Sequence, residues 1–526
     1  MRRILLAFIL AVAVSGLATA AVNDIKVSGD IAVNAVSRDL SLGNQELDTG
    51  IHNVRNRDRD NFITSQVRLR FDADLTENVS AVVQLINERL WGAEDEWDVN
   101  DVTTIYGDVI LGSVDNDIDL DLAYFTMKEM LYEPLTLTIG RQLLRFGSGL
   151  IIGDPNATYV FADSTAGPGG SMFNGLMIAP GGDAYTAGGG LMYLADDLSL
   201  RKAFDAVRAT LDYSPLVIDL VYSKISEDLI SSQDDVDLMG ANLAYQLDDT
   251  TLLEGYFWSK RQDDSPYYEY IIRNTSTLGI ALDPLGALDD NDNVYTIGLR
   301  AETAVTDQLS LFGEYAYQFG DIINTVNMDP VLIALGADAH CDRDAFAVQL
   351  GGAYKFNDEG NSHVSLVYTY LSGDDDIEND KWEMWDPMFE DQNGGEIANL
   401  FINSGVQSVK LSGSTMPRED MTAILDFYWY RFTENMITDM WSVNQPLFRP
   451  STARIYYFRG PLADNHYWVN RDEKDLGWEL DAKLLYDYTE DVQMGLVSAW
   501  FFPGDFFNEQ NDETAYSLRA FAKVDF

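Results

Sequence analysis

The sequence predicts an all-β fold, a transmembrane antiparallel β-barrel of about 18 strands with short periplasmic turns and long extracellular loops. Three observations predict it. Segments of period 2, apolar on one parity and polar or charged on the other, recur from residue 24 to the C-terminus. The links between them alternate between tight turns and long polar stretches. The last segment ends the chain on an aromatic residue, Phe526.

The N-terminus fits an exported chain. Arg2 and Arg3 precede an apolar run over 4–14, and Ala18-Thr19-Ala20 offers small residues for cleavage. Residues 1–20 therefore read as a secretory signal peptide, too short to span a membrane. No later stretch approaches the ~18 apolar residues of a transmembrane helix. With no linker or break in composition, 21–526 reads as one domain.

Strands are expected at 24–36, 62–74, 78–91, 117–131, 134–144, 203–213, 215–226, 236–247 and 251–261. The series continues at 293–304, 307–319, 343–356, 362–372, 404–416, 419–432, 475–488, 491–502 and 514–526. After even-numbered strands the link is tight, as at 75–77, Glu133, Ser214, 248–250 and 489–490. After most odd-numbered strands it is long: 37–61, 92–116, 145–202, 262–292, 320–342, 373–403 and 433–474. Short turns on one rim and long loops on the other are the asymmetry of an outer-membrane barrel, with both termini periplasmic. A β-propeller would show a repeat of fixed length, which is not seen. Closure also removes the sheet edges that so many strands would otherwise expose. Protease added to intact cells is accordingly expected to cut within 92–116. Cutting only after the outer membrane is opened would reverse this topology.

The closing hairpin shows the pattern most clearly. Trp478, Leu480, Ala482, Leu484, Tyr486 and Tyr488 share one parity, against Glu479, Asp481, Lys483 and Asp487. Tyr516, Leu518, Ala520, Ala522, Val524 and Phe526 oppose Ser517, Arg519, Lys523 and Asp525. Aromatics at strand ends suit interfacial girdles.

The charge is extreme: 35 Lys and Arg against 85 Asp and Glu, a net −50. Such a chain repels nucleic acid, and its field acts within a Debye length of ~8–10 Å. At 12% aromatic and 46% apolar, it is not disordered. Cys341 is the only cysteine, which excludes an intrachain disulfide and reads as an ordinary loop residue.

Four stretches resemble the alginate-export family. Thr138-Ile139-Gly140-Arg141-Gln142, followed by Phe146-Gly147 and Gly153-Asp154, is similar to its Gly-Arg-Gln strand. Phe204-Asp205-Ala206-Val207-Arg208 resembles its Phe-Asp-Gly-Val-Arg strand, with Ala for Gly. Leu476-Gly477-Trp478-Glu479-Leu480-Asp481 and Phe501-Phe502-Pro503-Gly504-Asp505 resemble its closing hairpin. The resemblance implies an 18-stranded outer-membrane barrel, agreeing with the independent strand count. It also implies export of a charged or sugar-like solute, such as an anionic polysaccharide, through an arginine-rich constriction. A terminal aromatic read by the assembly machinery is implied as well. The Gly-rich segment 155–199 is long for the family, so the loop 146–202 is a candidate to fold into or over the pore.

Parity assigns lumen positions, since the lipid face must be apolar. Val67, Leu69 and Phe71 aim Gln66, Arg68, Arg70 and Asp72 inward. Val207, Ala209 and Leu211 do the same for Arg208, Thr210 and Asp212. Arg300, Glu302, Arg519 and Lys523 follow, with acidic candidates at Glu254, Glu314, Asp426, Glu479 and Asp481. Arg141 shares parity with Leu137 and Ile139, so it lines the pore only through a bulge or a position above the membrane band. Arg145 sits at the start of the following loop. Charged rings at a constriction select ions, while the plainer role of such charges is to solvate a water-filled pore.

Selectivity hangs on whether the arginines converge, and the expectation leans to convergence and anion preference. Pairing with Asp72, Asp212 and Glu302 would instead favour cations. The segment 92–127, with ten acidic residues and no Lys or Arg, would then act on entry rate.

Enzymatic function is not expected. The four histidines, His52, His340, His363 and His466, provide no base beside a nucleophile on one strand face. Asp374, Asp375 and Asp376 offer oxygen ligands for Ca²⁺ or Mg²⁺ without EF-hand spacing, and solvated acidic loops are the readier explanation of them. No cofactor is expected. The expected partners are outer-membrane lipid, lipopolysaccharide and the transported solute. Energy-coupled transport is not expected, because no plug domain precedes the first strand. The remaining alternatives are a general or cation-favouring porin and an adhesion barrel.

Overall fold

The computed structural model describes residues 24–39, 60–91, 118–156, 198–226, 236–262, 292–323, 340–375, 381–400, 404–435, 470, 473–507 and 512–526. The signal-peptide reading, the loop interior 157–197 and Asp376 lie outside the described residues.

The first half of the wall comprises β1 (Asp24–Asp39), β2 (Asp60–Thr76), β3 (Val79–Leu90), β4 (Asp119–Met127), β5 (Leu135–Leu143), β6 (Ala203–Asp212), β7 (Leu216–Ser226), β8 (Val236–Asp248) and β9 (Thr251–Gln262). The second comprises β10 (Asp292–Ala304), β11 (Leu309–Ile323), β12 (His340–Lys355), β13 (His363–Leu371), β15 (Val406–Arg418), β16 (Met421–Phe432), β17 (Asp475–Asp487), β18 (Val492–Pro503) and β19 (Ala515–Asp525). Every one of the 18 expected strands is present. β14, only Lys381–Trp382, lies parallel to the upper end of β12 and is not part of the wall. The others pair antiparallel with their neighbours, and β1 pairs with both β2 and β19, closing the ring.

Two strand ends depart furthest from expectation. β4 stops at Met127, because the chain turns there through left-handed Glu129 and Leu131 (φ 53° and 69°). β11 runs on to Ile323, because Asp321, Ile322 and Ile323 keep pairing with Asp342, Cys341 and His340.

The alternation places apolar side chains outward and polar ones inward, the reverse of a soluble core. Val67, Val207, Leu243, Leu299, Leu350, Leu411 and Leu496 are exposed on the outer face. Gln66, Glu88, Asp219, Gln318, Asp426 and Asp481 are buried on the inner one. The outer belt belongs against hydrocarbon, where the ladder must satisfy every backbone group internally.

Ring closure ends on Phe526. Its N–H donates to the Gly29 carbonyl at 2.9 Å, and the Gly29 N–H donates to its carbonyl at 2.8 Å, while its ring stays outside. Phe526→Asp puts a charge on that face, and the yield of heat-modifiable barrel is expected to fall well below that of a loop truncation. Normal yield would refute this role.

Candidate functional site

Among the described residues three segments cross the lumen: 144–156 after β5, 198–202 before β6, and 381–400 before β15. The last does most of the crossing. Its backbone leaves the wall where the Trp385 N–H donates to the Ser372 carbonyl at 3.0 Å. Asp386 then receives the Lys260 ammonium of β9 at 2.8 Å, with Arg343 of β12 at 3.8 Å. Gln318 of β11 donates to the Asp386 carbonyl at 2.7 Å and accepts its N–H at 2.8 Å. Burial alone would raise the Asp386 carboxyl, yet Lys260 and Arg343 hold it below the usual carboxylate range.

At the far wall Glu396 receives Lys483 of β17 at 3.0 Å and Arg519 of β19 at 3.1 Å. Burial again opposes ionisation there, and the two cations overcome it. Fully buried Glu479 accepts the N–H groups of Ile397 at 2.9 Å and Ala398 at 2.7 Å. Gly395 sits at φ +104°, and a Cβ there would lie 2.7 Å from the Glu479 carboxyl carbon. Only glycine lets the chain turn this close to the wall.

The other two segments brace the first. The Phe146 ring lies 4.9 Å from that of Trp258, and Ser148 donates to Glu314 at 2.9 Å. Across the lumen, Glu88 accepts the Leu200 N–H at 2.9 Å, while Arg201 lies 2.8 Å from Asp119. All three segments meet at Asp391, which receives Arg145 and, at 2.6 Å, Lys202, while its N–H donates to the Gly149 carbonyl at 2.8 Å. Buried Ile151, Ile152, Trp385, Met388 and Phe389 form an apolar core inside a polar lumen.

The arginines do not converge. Arg68 pairs with Asp30 at 2.8 Å, Arg70 with Asp72 at 2.7 Å and Arg208 with Asp219 at 2.7 Å. Arg300 is enclosed by Glu254 at 2.5 Å, Glu302, and Glu314 at 3.8 Å. Lys523 pairs with Asp525 at 2.8 Å. The lean to convergence is thus corrected: of the alternative pairings, those with Asp72 and Glu302 are seen, whereas the acid facing Arg208 is Asp219, which the β6–β7 register sets opposite Thr210. Asp212 instead accepts the Ser214 N–H at 2.9 Å in the turn. Asp481 is fully buried and accepts the Glu396 N–H at 3.2 Å.

Arg141 is a correction. No bulge turns it inward: it stands in register with Ala123 and Asp205, on the parity of exposed Val207. It bonds Asp205 at 3.2 Å on the outer face, near the upper strand end. Arg145 is inside.

Asp374 is buried and accepts the Glu383 N–H at 3.2 Å, while Asp375 is exposed. Among the described residues no three His, Cys, Asp or Glu side chains group to hold a metal ion. Sequence reasoning missed Glu88, Lys202, Lys260, Asp386, Asp391 and Glu396. A signal was present in the apolar run Trp382, Met384, Trp385, Met388 and Phe389, out of place in a solvated external loop.

The alginate export family matches residues 194–521, more than half of the chain. The chain belongs to that family. Among curated protein sequences none matches. Of solved structures, the barrel is similar to Acinetobacter baumannii OccAB1 at 10% identity and TM-score 0.50, over 96% of this chain and 97% of that one. Pseudomonas aeruginosa OpdQ (11%, TM-score 0.49) and OccK8 (9%, TM-score 0.49) each match over 96% of this chain and 98% of theirs. This alginate-export-family barrel is a channel for solute passage in the bacterial outer membrane, in contact with its lipids, and not an enzyme.

Proposed function

We propose that the channel passes small hydrophilic solutes passively and favours cationic or uncharged ones over anions. One observation carries this reading: each lumen arginine singled out above is ion-paired to a carboxylate, which Arg145 and Arg519 share with Lys202 and Lys483, so little positive field is left to draw an anion. A paired charge in a water-filled lumen contributes a dipole whose field falls off quickly, unlike a ring of like charges. The three crossing segments restrict size. The acidic surface adds local cation enrichment over about a Debye length.

Export of an anionic polysaccharide is the second reading. The family's description favours it, and so does Lys410, which lies 5.1 Å over the Tyr428 ring with no carboxylate ion pair among the described residues. Liposome swelling separates the two. A neutral hexose and an amino sugar are expected to enter at least as fast as the matching uronate, and faster uronate entry would favour export. In the cell, recognition of terminal Phe526 by the assembly machinery completes the proposed setting.

A further inference from the structure

The lumen cations fall into two groups. Arg68, Arg70, Arg208 and Arg300 are held by carboxylates of the wall itself, those of Asp30, Asp72, Asp219 and Glu254. Six others take a carboxylate from the crossing segment 381–400. Asp386 holds Lys260 and Arg343, Asp391 holds Arg145 and Lys202, and Glu396 holds Lys483 and Arg519.

The three acids stand five residues apart, and each meets two cations from different parts of the chain. Lys260 and Arg343 come from β9 and β12, Lys483 and Arg519 from β17 and β19, and Arg145 and Lys202 from the other two crossing segments. One carboxylate between two cations leaves donor capacity unused. Arg343 and Arg519 show this directly, since the Nε of each is buried without an acceptor. A guanidinium in that state favours any anion that can reach it.

Neutralising the crossing segment would separate the two groups. The wall arginines would keep their acids, Lys202 would keep Asp154 at 3.6 Å, and Lys483 would keep Asp426 at 3.8 Å. Among the described residues, Lys260, Arg343, Arg145 and Arg519 have no other carboxylate in ion-pair contact. Lys410 has no ion pair among the described residues, and with Gln392, Asn393 and Tyr428 it lines a chamber of about 100 Å³ under the same segment. Five such cations around one narrow lumen would act as a positive ring, in a setting where charge is poorly screened.

We infer that Asp386, Asp391 and Glu396 are the specificity-determining residues of the channel, internal counter-ions that impose the preference for cationic and uncharged solutes proposed above. Without their charge the same lumen selects anions.

The test is the reversal potential of the full-length channel in planar bilayers under a potassium chloride gradient. Asp386→Asn with Asp391→Asn and Glu396→Gln should move the permeability ratio toward chloride by roughly threefold or more. Adding Lys260→Gln and Arg519→Gln should return most of that shift. Acids that merely seat the segment would give a higher conductance at the wild-type permeability ratio, and that result overturns the inference. A shift that the two added substitutions leave in place overturns it too. If the triple variant fails to assemble, Asp386→Asn alone decides, by a smaller shift of the same sign or by none. The sign of the wild-type potential bears on the proposed function alone, whereas the shift from wild type to variant bears on these three residues.

Discussion

Glu479→Ala is expected to raise single-channel conductance several-fold in planar bilayers at symmetrical salt. The carboxylate is fully buried and takes two backbone N–H groups from the crossing segment, those of Ile397 and Ala398. Each donor left buried without a partner costs about 1–3 kcal/mol. Even ~2 kcal/mol in all shifts the equilibrium between seated and unseated segment roughly 30-fold. Asp391→Ala is the comparison. Its partners Arg145 and Lys202 are more than a third exposed, so the pairs are discounted for solvent and a smaller rise is expected. Wild-type conductance in Glu479→Ala would show that residues 395–398 do not obstruct the pore.

The second large effect concerns stability. Arg300→Met is expected to destabilise the barrel by about 3–5 kcal/mol, because it leaves Glu254 and Glu314 buried without their counter-ion. Tyr256 donates to Glu314 at 2.7 Å but cannot neutralise it. Adding Glu254→Gln and Glu314→Gln to Arg300→Met should recover most of the loss, since a neutral cluster no longer carries unpaired charge. Urea titration of refolded barrels, followed by the gel shift on heating, reads both. A single variant as stable as wild type would mean that the cluster is solvated rather than buried.

The wall was legible because period 2 is a strong local signal and a barrel repeats it 18 times. Link length carried as much information, since a tight turn and a long loop differ in composition as well as size. Less of the site could be read. Parity gives the face of a side chain but not its partner: it offers Asp212 as the alternative acid for Arg208, which stands beside Asp219 instead. Partner choice depends on the register between strands, and only the assembled ring sets it. By length alone the crossing segment 381–400, within the long link 373–403, reads as an external loop. Its Trp, Met and Phe residues were the overlooked sign, since such side chains need a dry partner. Arg141 shows the opposite case: its parity pointed outward from the start, and the structure keeps it there.

The claim that the lumen arginines are paired to carboxylates rather than convergent is tested most directly by the reversal potential across a planar bilayer under a salt gradient. The account predicts a mild cation preference for the wild type. It also predicts that Arg68→Ser with Arg208→Ser moves the potential further toward cations, by freeing Asp30 and Asp219. An anion-selective wild type that loses its selectivity in that variant would contradict it.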